Sequence, residues 1–313
     1  MLASRVTLED ENTHPYTLRP AQAADIPHVN RMLWDEYGES YPYPVRELNP
    51  AYIYVVAVHD QTGETVGFSR AAPYEGHAGV WELGGLIVTR PHRKRDVAKR
   101  MTILRMGALR ERGAKIAMSE PVCYRIDCAS QLNLLGFGFV LLGILPGKYP
   151  DIQREVLHNQ PESVVMAANW LSGESEFGTR RIFLPHEYRG LPYTYLPREI
   201  HSRHFQRPLE GDVPEAVHHQ GRAGLGYVGS EFVDIPANWQ KSAAILADYI
   251  HQGYRFACIL PSFGDLDGGG HFDYVRLYRF HDSMREFDFR HIHVAPHIAP
   301  LKYLMAGEHA CRR

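Results

Sequence analysis

Residues 81–105, WELGGLIVTRPHRKRDVAKRMTILR, concentrate the chemistry of this chain. Leu83–Val88 is an apolar run of strand type. Val97, Met101, Leu104 and Ala108 then recur at the spacing of one helix face. Between the two lie Arg90, Arg93, Lys94 and Arg95. A strand that hands over to a helix through such a loop gathers unpaired main-chain N–H groups, the positive end of the helix dipole and cationic side chains at one point. That combination holds a small anion. A basic loop that is merely solvated has the same composition, so the segment alone leaves both readings open.

Other clusters carry weaker chemistry. Among 18 histidines, His291, His293 and His297 spell H-x-H-x3-H. On a strand the first two share a face, but no cysteine or carboxylate joins them at firm ligand spacing. No metal site is expected. Gly264–Gly270, GDLDGGG, lacks the rest of a calcium pattern and reads as a hairpin loop. No dinucleotide or Walker glycine loop occurs. Ser130 has no nucleophile-elbow context, which argues against hydrolase chemistry.

The elements that must position these residues alternate in type. Thr17–Arg19 is a short strand. Asp25 reads as a helix cap, with Pro27 in the first turn and Ile26, Val29 and Leu33 on the buried face. Gly38 ends that helix, and Tyr37–Pro44 (YGESYPYP) is a Tyr/Pro-rich loop. Tyr52–His59 and Glu64–Arg70 form a hairpin around Asp60–Gly63. Strand 80–89, the helix from about 97 to 112 with Gly113 as its left-handed cap, strand Lys115–Ser119, helix Ala129–Leu135, and strands Phe137–Leu145 and Ser163–Asn169 follow. The second half partly repeats the first. Residues 136–146, GFGFVLLGILP, are echoed at 253–261, GYRFACILP, and each stretch leads to a further strand. A helix precedes the second copy, with Pro236 in its first turn and Trp239, Ala243, Leu246 and Ile250 on its buried face. Residues 172–200 are rich in Gly and Pro and read as the connection.

Composition bounds the partners. The chain has 313 residues, 44% hydrophobic and 22% charged, with a net charge of −2; it is expected to be a soluble protein of two domains. The basic patch is local, so nucleic acid is not expected as the partner. No run reaches about 18 uninterrupted apolar residues, so no membrane span is expected. Four cysteines without a C-x-x-C pair fit reduced thiols in a cytoplasmic protein.

Taken in order, these pieces resemble the GNAT superfamily of acyl-CoA-dependent N-acyltransferases. YTLRPAQAADIP is similar to the family's opening strand and helix. YIYVVAVHDQTGETVGFSRAA is similar to its second and third strands. WELGGLIVTRPHRKRDVAKRM is similar to its fourth strand, pyrophosphate loop and third helix, and LNLLGFGFVLLG to the entry into its sixth strand. The resemblance implies an α/β (α+β) fold with a mixed, mostly antiparallel central sheet flanked by helices. It implies an acyl-CoA-binding domain over 1–172, a linker at 173–200, and a degenerate GNAT-like unit over 201–313.

It also implies roles. The donor, acetyl-CoA or another acyl-CoA, would lay its pyrophosphate on Arg93, Lys94, Arg95, Asp96, Val97 and Ala98. Arg93 and Ala98 fit the family pattern, whereas Asp96 stands where a Gly is expected. Asp adds bulk and charge, and at a helix start it can cap the amides that phosphate needs. Ile87 and Val88 would offer backbone groups to the pantetheine arm and the thioester oxygen. Glu82 is the candidate general base. Tyr37, Tyr41 and Tyr43 would wall the acceptor pocket. The family's usual acid, a Tyr four residues before the Gly-Phe pair, is replaced by Leu132, with Tyr124, Cys128 and Ser130 upstream.

The implied reaction is direct attack of a small-molecule amine on the thioester in a ternary complex, without a metal. Asp96 and the missing Tyr keep three alternatives open: a non-catalytic acyl-CoA or metabolite binding module, transfer from an acyl carrier protein, and an interaction protein that uses the scaffold without a thioester ligand. The acceptor, the acyl length and the oligomeric state, a homodimer included, stay open.

Overall fold

A computed structural model describes residues 15–38, 41, 43–74, 76–153, 160–171, 182–189, 208–219, 230–266, 271–280 and 287–310. The strands among them join one sheet. In chain order the elements are β1 (Tyr16–Pro20), α1 (Ile26–Tyr37), β2 (Ile53–His59), β3 (Thr65–Pro73), β4 (Val80–Val88), α2 (Val97–Glu111), β5 (Ile116–Ser119), α3 (Ala129–Leu135), β6 (Val140–Gln153) and β7 (Pro161–Trp170). Then come β8 (Val217–His219), β9 (Glu231–Pro236), α4 (Ser242–His251), β10 (Arg255–Asp265), β11 (His271–Arg279) and α5 (Ala299–Ala310). The sheet order is β1-β2-β3-β4-β5-β7-β6-β10-β11-β9-β8. Every pairing is antiparallel except β4 with β5. The fold is the mixed, mostly antiparallel α/β sheet that the resemblance implies.

α1 and α2 cover opposite faces of the first strands. Val29, Met32 and Leu33 of α1 pack with Val56, Phe68 and Ile87. Val97 and Met101 of α2 join Val88 in the larger core. Adjacent residues of β4, Ile87 and Val88, thus point to opposite faces, as the two-residue strand period requires. Asp25 precedes α1 but does not cap it. Its carboxylate takes both terminal nitrogens of Arg19, at 2.7 and 2.8 Å, and the Gln22 amide at 2.7 Å. The hydrogen bonds from Arg19 hold it below the usual carboxylate range.

The inward face of α2 overlaps only in part with the one the apolar spacing picks out. Val97 and Met101 are buried, but Leu104 and Ala108 are only half-buried, while Thr102, Arg105, Met106 and Leu109 are buried. A charged residue takes a core position in the helix beneath the site.

Among the described residues one strand pairing, β6 with β10, joins the two halves of the sheet and forms its seam. Gly143 of β6 pairs with Cys258 of β10, and these residues occupy matching places in the repeated ILP stretches. A Cβ on Gly143 would lie 2.2 Å from the Ala257 carbonyl oxygen, so only glycine permits the approach. On one side of the seam β5, α3, β6 and β7 give the order β5-β7-β6; on the other β9, α4, β10 and β11 give β10-β11-β9. The correspondence stops there, because β8 runs antiparallel to β9 whereas β4 runs parallel to β5.

Pro236 does not open α4. It is the last residue of β9, in register with Tyr274, and α4 begins six residues later at Ser242. Most of 173–200 lies outside the described residues, as does 267–270 of the Gly-rich loop. His291, His293 and His297 are not on a strand: His291 ends a short 3-10 turn, Phe289–His291, and the three do not gather into a ligand cluster.

Candidate functional site

The site is built where β4 leaves its neighbours. β4 pairs with β5 only through Val80, Trp81 and Glu82. At that point the Ser119 hydroxyl donates to the Leu83 carbonyl at 2.8 Å, closing the paired stretch, and the rest of β4 faces an open notch. On its other edge β4 carries a bulge. Phe68 and Arg70 of β3 oppose Ile87 and Gly84, so β4 spends one more residue than β3, and Gly85 takes φ +61°. A left-handed glycine is what such a bulge needs.

The bulge decides which amide faces the notch. Thr89 N–H donates to the Val66 carbonyl at 2.9 Å, and Ile87 lies in register with Phe68. Alternate residues of an antiparallel strand turn their main-chain groups to the same side. Ile87 therefore bonds toward β3, and Val88 turns its N–H and carbonyl to the notch. The Val88 carbonyl accepts from Nε of Arg93 at 2.8 Å. Of the two residues implied as backbone contacts, Val88 is the one whose amide the strand leaves available.

The loop to α2 holds two left-handed residues, Lys94 (φ 62°) and Asp96 (φ 57°). Left-handed Asp96 followed by helical Val97 turns successive amides toward one side, a geometry suited to an anion. Asp96, at the position where the resemblance expects Gly, takes a left-handed backbone, which Asp tolerates better than most residues. Its side chain makes no capping hydrogen bond to α2. The capping expected of Asp96 is absent, and the carboxylate does not consume the first-turn amides. Arg93 is the larger departure from expectation. Its Nη2 meets Glu36 Oε2 at 2.6 Å, so its charge is answered by α1. Glu36 also accepts from the Tyr124 hydroxyl at 3.2 Å and thereby joins α1, the basic loop and the segment before α3. Arg90, Lys94, Arg95, Lys99 and Arg100 carry the remaining positive charge of the loop and first turn, and of these Lys94 and Lys99 line the site's cavity.

One cavity of about 1030 Å3 runs from this loop across the notch. Glu82, Ile87, Val88, Arg93, Lys94, Asp96, Val97 and Ala98 all contribute to its walls, whereas Arg95 does not. Tyr37, Tyr41 and Tyr43 contribute as well. Tyr37 stacks on Tyr41 at 4.7 Å between ring centroids, Tyr41 meets Tyr43 edge-on at 5.7 Å, and Tyr43 meets Tyr149 at 6.4 Å. Burial pushes the Tyr41 hydroxyl up to about 12, so it stays neutral.

Several wall residues escaped the sequence reading because their partners are distant in sequence. Glu120 meets Lys148 and accepts from the Tyr149 hydroxyl at 2.5 Å. Burial opposes its charge, but the Lys148 ammonium and the two hydrogen bonds outweigh burial and keep it below the usual range. His219, Phe232 and Arg276 bring the C-terminal half to the same cavity. There Asp234 is buried among His77 (3.0 Å), His219 (2.7 Å) and Arg276 (2.6 Å). The ligand atoms of His77, His219 and Asp234 lie within 4.8 Å of one another. Arg276 already neutralises that carboxylate through two contacts of 2.6 Å, and a metal ion would sit against its guanidinium. The cluster is an ion network.

α3 lines a further stretch of the cavity through Ala129, Ser130, Asn133 and Leu134. Tyr124 is bonded to Glu36, and burial raises the Cys128 thiol. Ser130 lines the cavity, and its Oγ is buried without a hydrogen-bond partner among the described residues.

Residues 23–121 match the model of the acetyltransferase (GNAT) family. No curated protein matches the chain in sequence. Among solved structures, a ribosomal-protein-S18-alanine N-acetyltransferase from Escherichia coli is 14% identical, covers 51% of this chain and 97% of its own, and has a TM-score of 0.40. An aminoglycoside 6'-N-acetyltransferase complexed with coenzyme A is 19% identical, covers 50% and 97%, and scores 0.37. A phosphinothricin acetyltransferase from Sinorhizobium meliloti in complex with AcCoA is 16% identical, covers 50% and 88%, and scores 0.40.

Proposed function

Given that residues 23–121 form an acetyltransferase (GNAT) family domain, we propose that the chain transfers a short acyl group from acyl-CoA to the amine of a small molecule. One observation carries this reading. The notch beside β4, the uncapped start of α2 and the carboxylate of Glu82 open into the same cavity. An anion-holding loop, a free strand amide and a proton acceptor are the three parts that amide formation from a thioester needs.

In this mechanism the diphosphate rests on the amides of the loop and first turn of α2, with Lys94 and Lys99 beside it. The thioester carbonyl lies against the Val88 amide. The amine enters along the wall of Tyr37, Tyr41 and Tyr43 and attacks the carbonyl carbon. Glu82 accepts the amine proton, directly or through a water. The C–S bond breaks, sulfur leaves with its electron pair, and the Ser130 hydroxyl donates a hydrogen bond to the thiolate. A thiol of ordinary acidity needs no stronger acid. An amide aimed at the developing oxyanion is worth about 3 kcal/mol of barrier.

The test is free-thiol release from acetyl-CoA across a panel of small primary amines. Amine-dependent release supports the reading. Tight binding of acetyl-CoA with no release for any amine favours a binding module. We further propose that β9, α4, β10 and β11 are a degenerate copy of the domain's final strands, supplying Arg276 and its neighbours to the acceptor end.

A further inference from the structure

Arg105 is a buried cation without an anion. It is 1% exposed, on the sheet-facing side of α2, and helix geometry places it roughly 12 Å along the axis from Val97. Its Nη1 donates to the carbonyls of Arg70 at 3.0 Å and Gly84 at 3.3 Å, and Nη2 to the Thr102 hydroxyl at 3.4 Å. Nε is buried and has no partner among the described residues. No carboxylate there reaches it, and burial alone lowers its pKa to about 9. Arg276, the other deeply buried guanidinium, is by contrast closed by Asp234.

A desolvated, unpaired charge costs several kcal/mol. Here it lines the cavity beside the bulge of β4, below the stretch where the thioester lies in the proposed reaction. An apolar acyl tail gains nothing against a guanidinium, whereas a carboxylate supplies the missing counter-charge and an acceptor for the idle N–H. Building on the acyl-transfer reading, we propose that Arg105 binds a carboxylate at the far end of the donor's acyl group, so that the preferred donor is a dicarboxylic acyl-CoA of malonyl or succinyl length. Chemistry at the thioester is unchanged: the amine nitrogen bonds to carbon, sulfur leaves as thiolate, and the amine proton passes to Glu82.

The experiment is competitive binding to the full chain of malonyl-, succinyl-, acetyl- and butyryl-CoA, measured by calorimetry. Malonyl- or succinyl-CoA is expected to bind at least about tenfold more tightly than butyryl-CoA, and Arg105→Met is expected to erase the difference. Equal or tighter binding of acetyl- and butyryl-CoA by the wild-type protein overturns the inference and leaves acyl transfer standing. A carboxylate preference that survives both Arg105→Met and Arg105→Gln also overturns it. Failure of every CoA thioester to bind removes the acyl-transfer reading together with this inference. If a substitution impairs folding, the wild-type ratio alone decides.

Discussion

A methyl group on Gly84 would stand 2.9 Å from Oε1 of Glu82 and 3.4 Å from Nε of Arg70. The absence of a side chain at 84 is thus what lets the Glu82 carboxylate lie along β4. Gly84→Ala is expected to displace that carboxylate rather than unfold the strand, because a flexible side-chain end yields more cheaply than backbone. Steady-state kinetics should show a lower kcat with little change in the KM for acetyl-CoA. An unchanged kcat would separate Glu82 from the chemistry.

Glu82→Gln keeps the shape and removes the base. Turnover is expected to fall about 10²–10⁴-fold, the usual worth of a positioned proton acceptor, while acetyl-CoA affinity stays near the wild-type value. Equal turnover in the two proteins would assign the proton to another group.

Ser130 offers a buried hydroxyl on the α3 wall that has no partner among the described residues. Ser130→Ala is expected to lower kcat by about tenfold, the worth of one hydrogen bond to a charged atom, and to affect poor thiol leaving groups most. A uniform KM effect without a kcat effect would make Ser130 a wall residue only.

Asp234 is expected to contribute to the acid limit of stability, together with other depressed carboxylates such as Asp25 and Glu120. Burial opposes its charge, but Arg276 and the hydrogen bonds from Arg276, His219 and His77 hold it well below the usual range. A carboxylate whose folded pKa is depressed adds stability that is present above its unfolded value, about 3.9, and is lost as pH falls toward the folded value. Urea midpoints measured across pH should therefore drop below about pH 4. Asp234→Asn should flatten that drop and cost about 3–5 kcal/mol at neutral pH, since Arg276 would be left buried and unpaired. An unaltered pH profile in the variant would place the acid response elsewhere.

Much of this architecture was legible. The strand, basic loop and helix of 81–105, the hairpin around Asp60–Gly63 and the helix Ala129–Leu135 follow from local pattern and match the observed elements. β9 was not, because Pro236 suits a helix start as well as a strand end, and only its pairing with β11 decides. The basic loop at the start of α2 was legible from charge and position, but the diversion of Arg93 to Glu36 was not, since 57 residues separate them. The Glu120–Lys148 pair and the Asp234 network are hidden for the same reason. Arg105 sat in plain view at helix spacing from Val97 and Met101, but the apolar residues Leu104 and Ala108 on the adjacent stripe masked it.

The central claim is that the α2 loop grips the diphosphate of coenzyme A. Calorimetric titration of the full chain with coenzyme A and, separately, with 4'-phosphopantetheine, which lacks the diphosphate, tests it most directly. Saturable one-to-one binding of coenzyme A, at least about tenfold tighter than phosphopantetheine and weakened by Lys94→Glu, is the predicted result. No binding of coenzyme A, or equal affinity for the two, would contradict it.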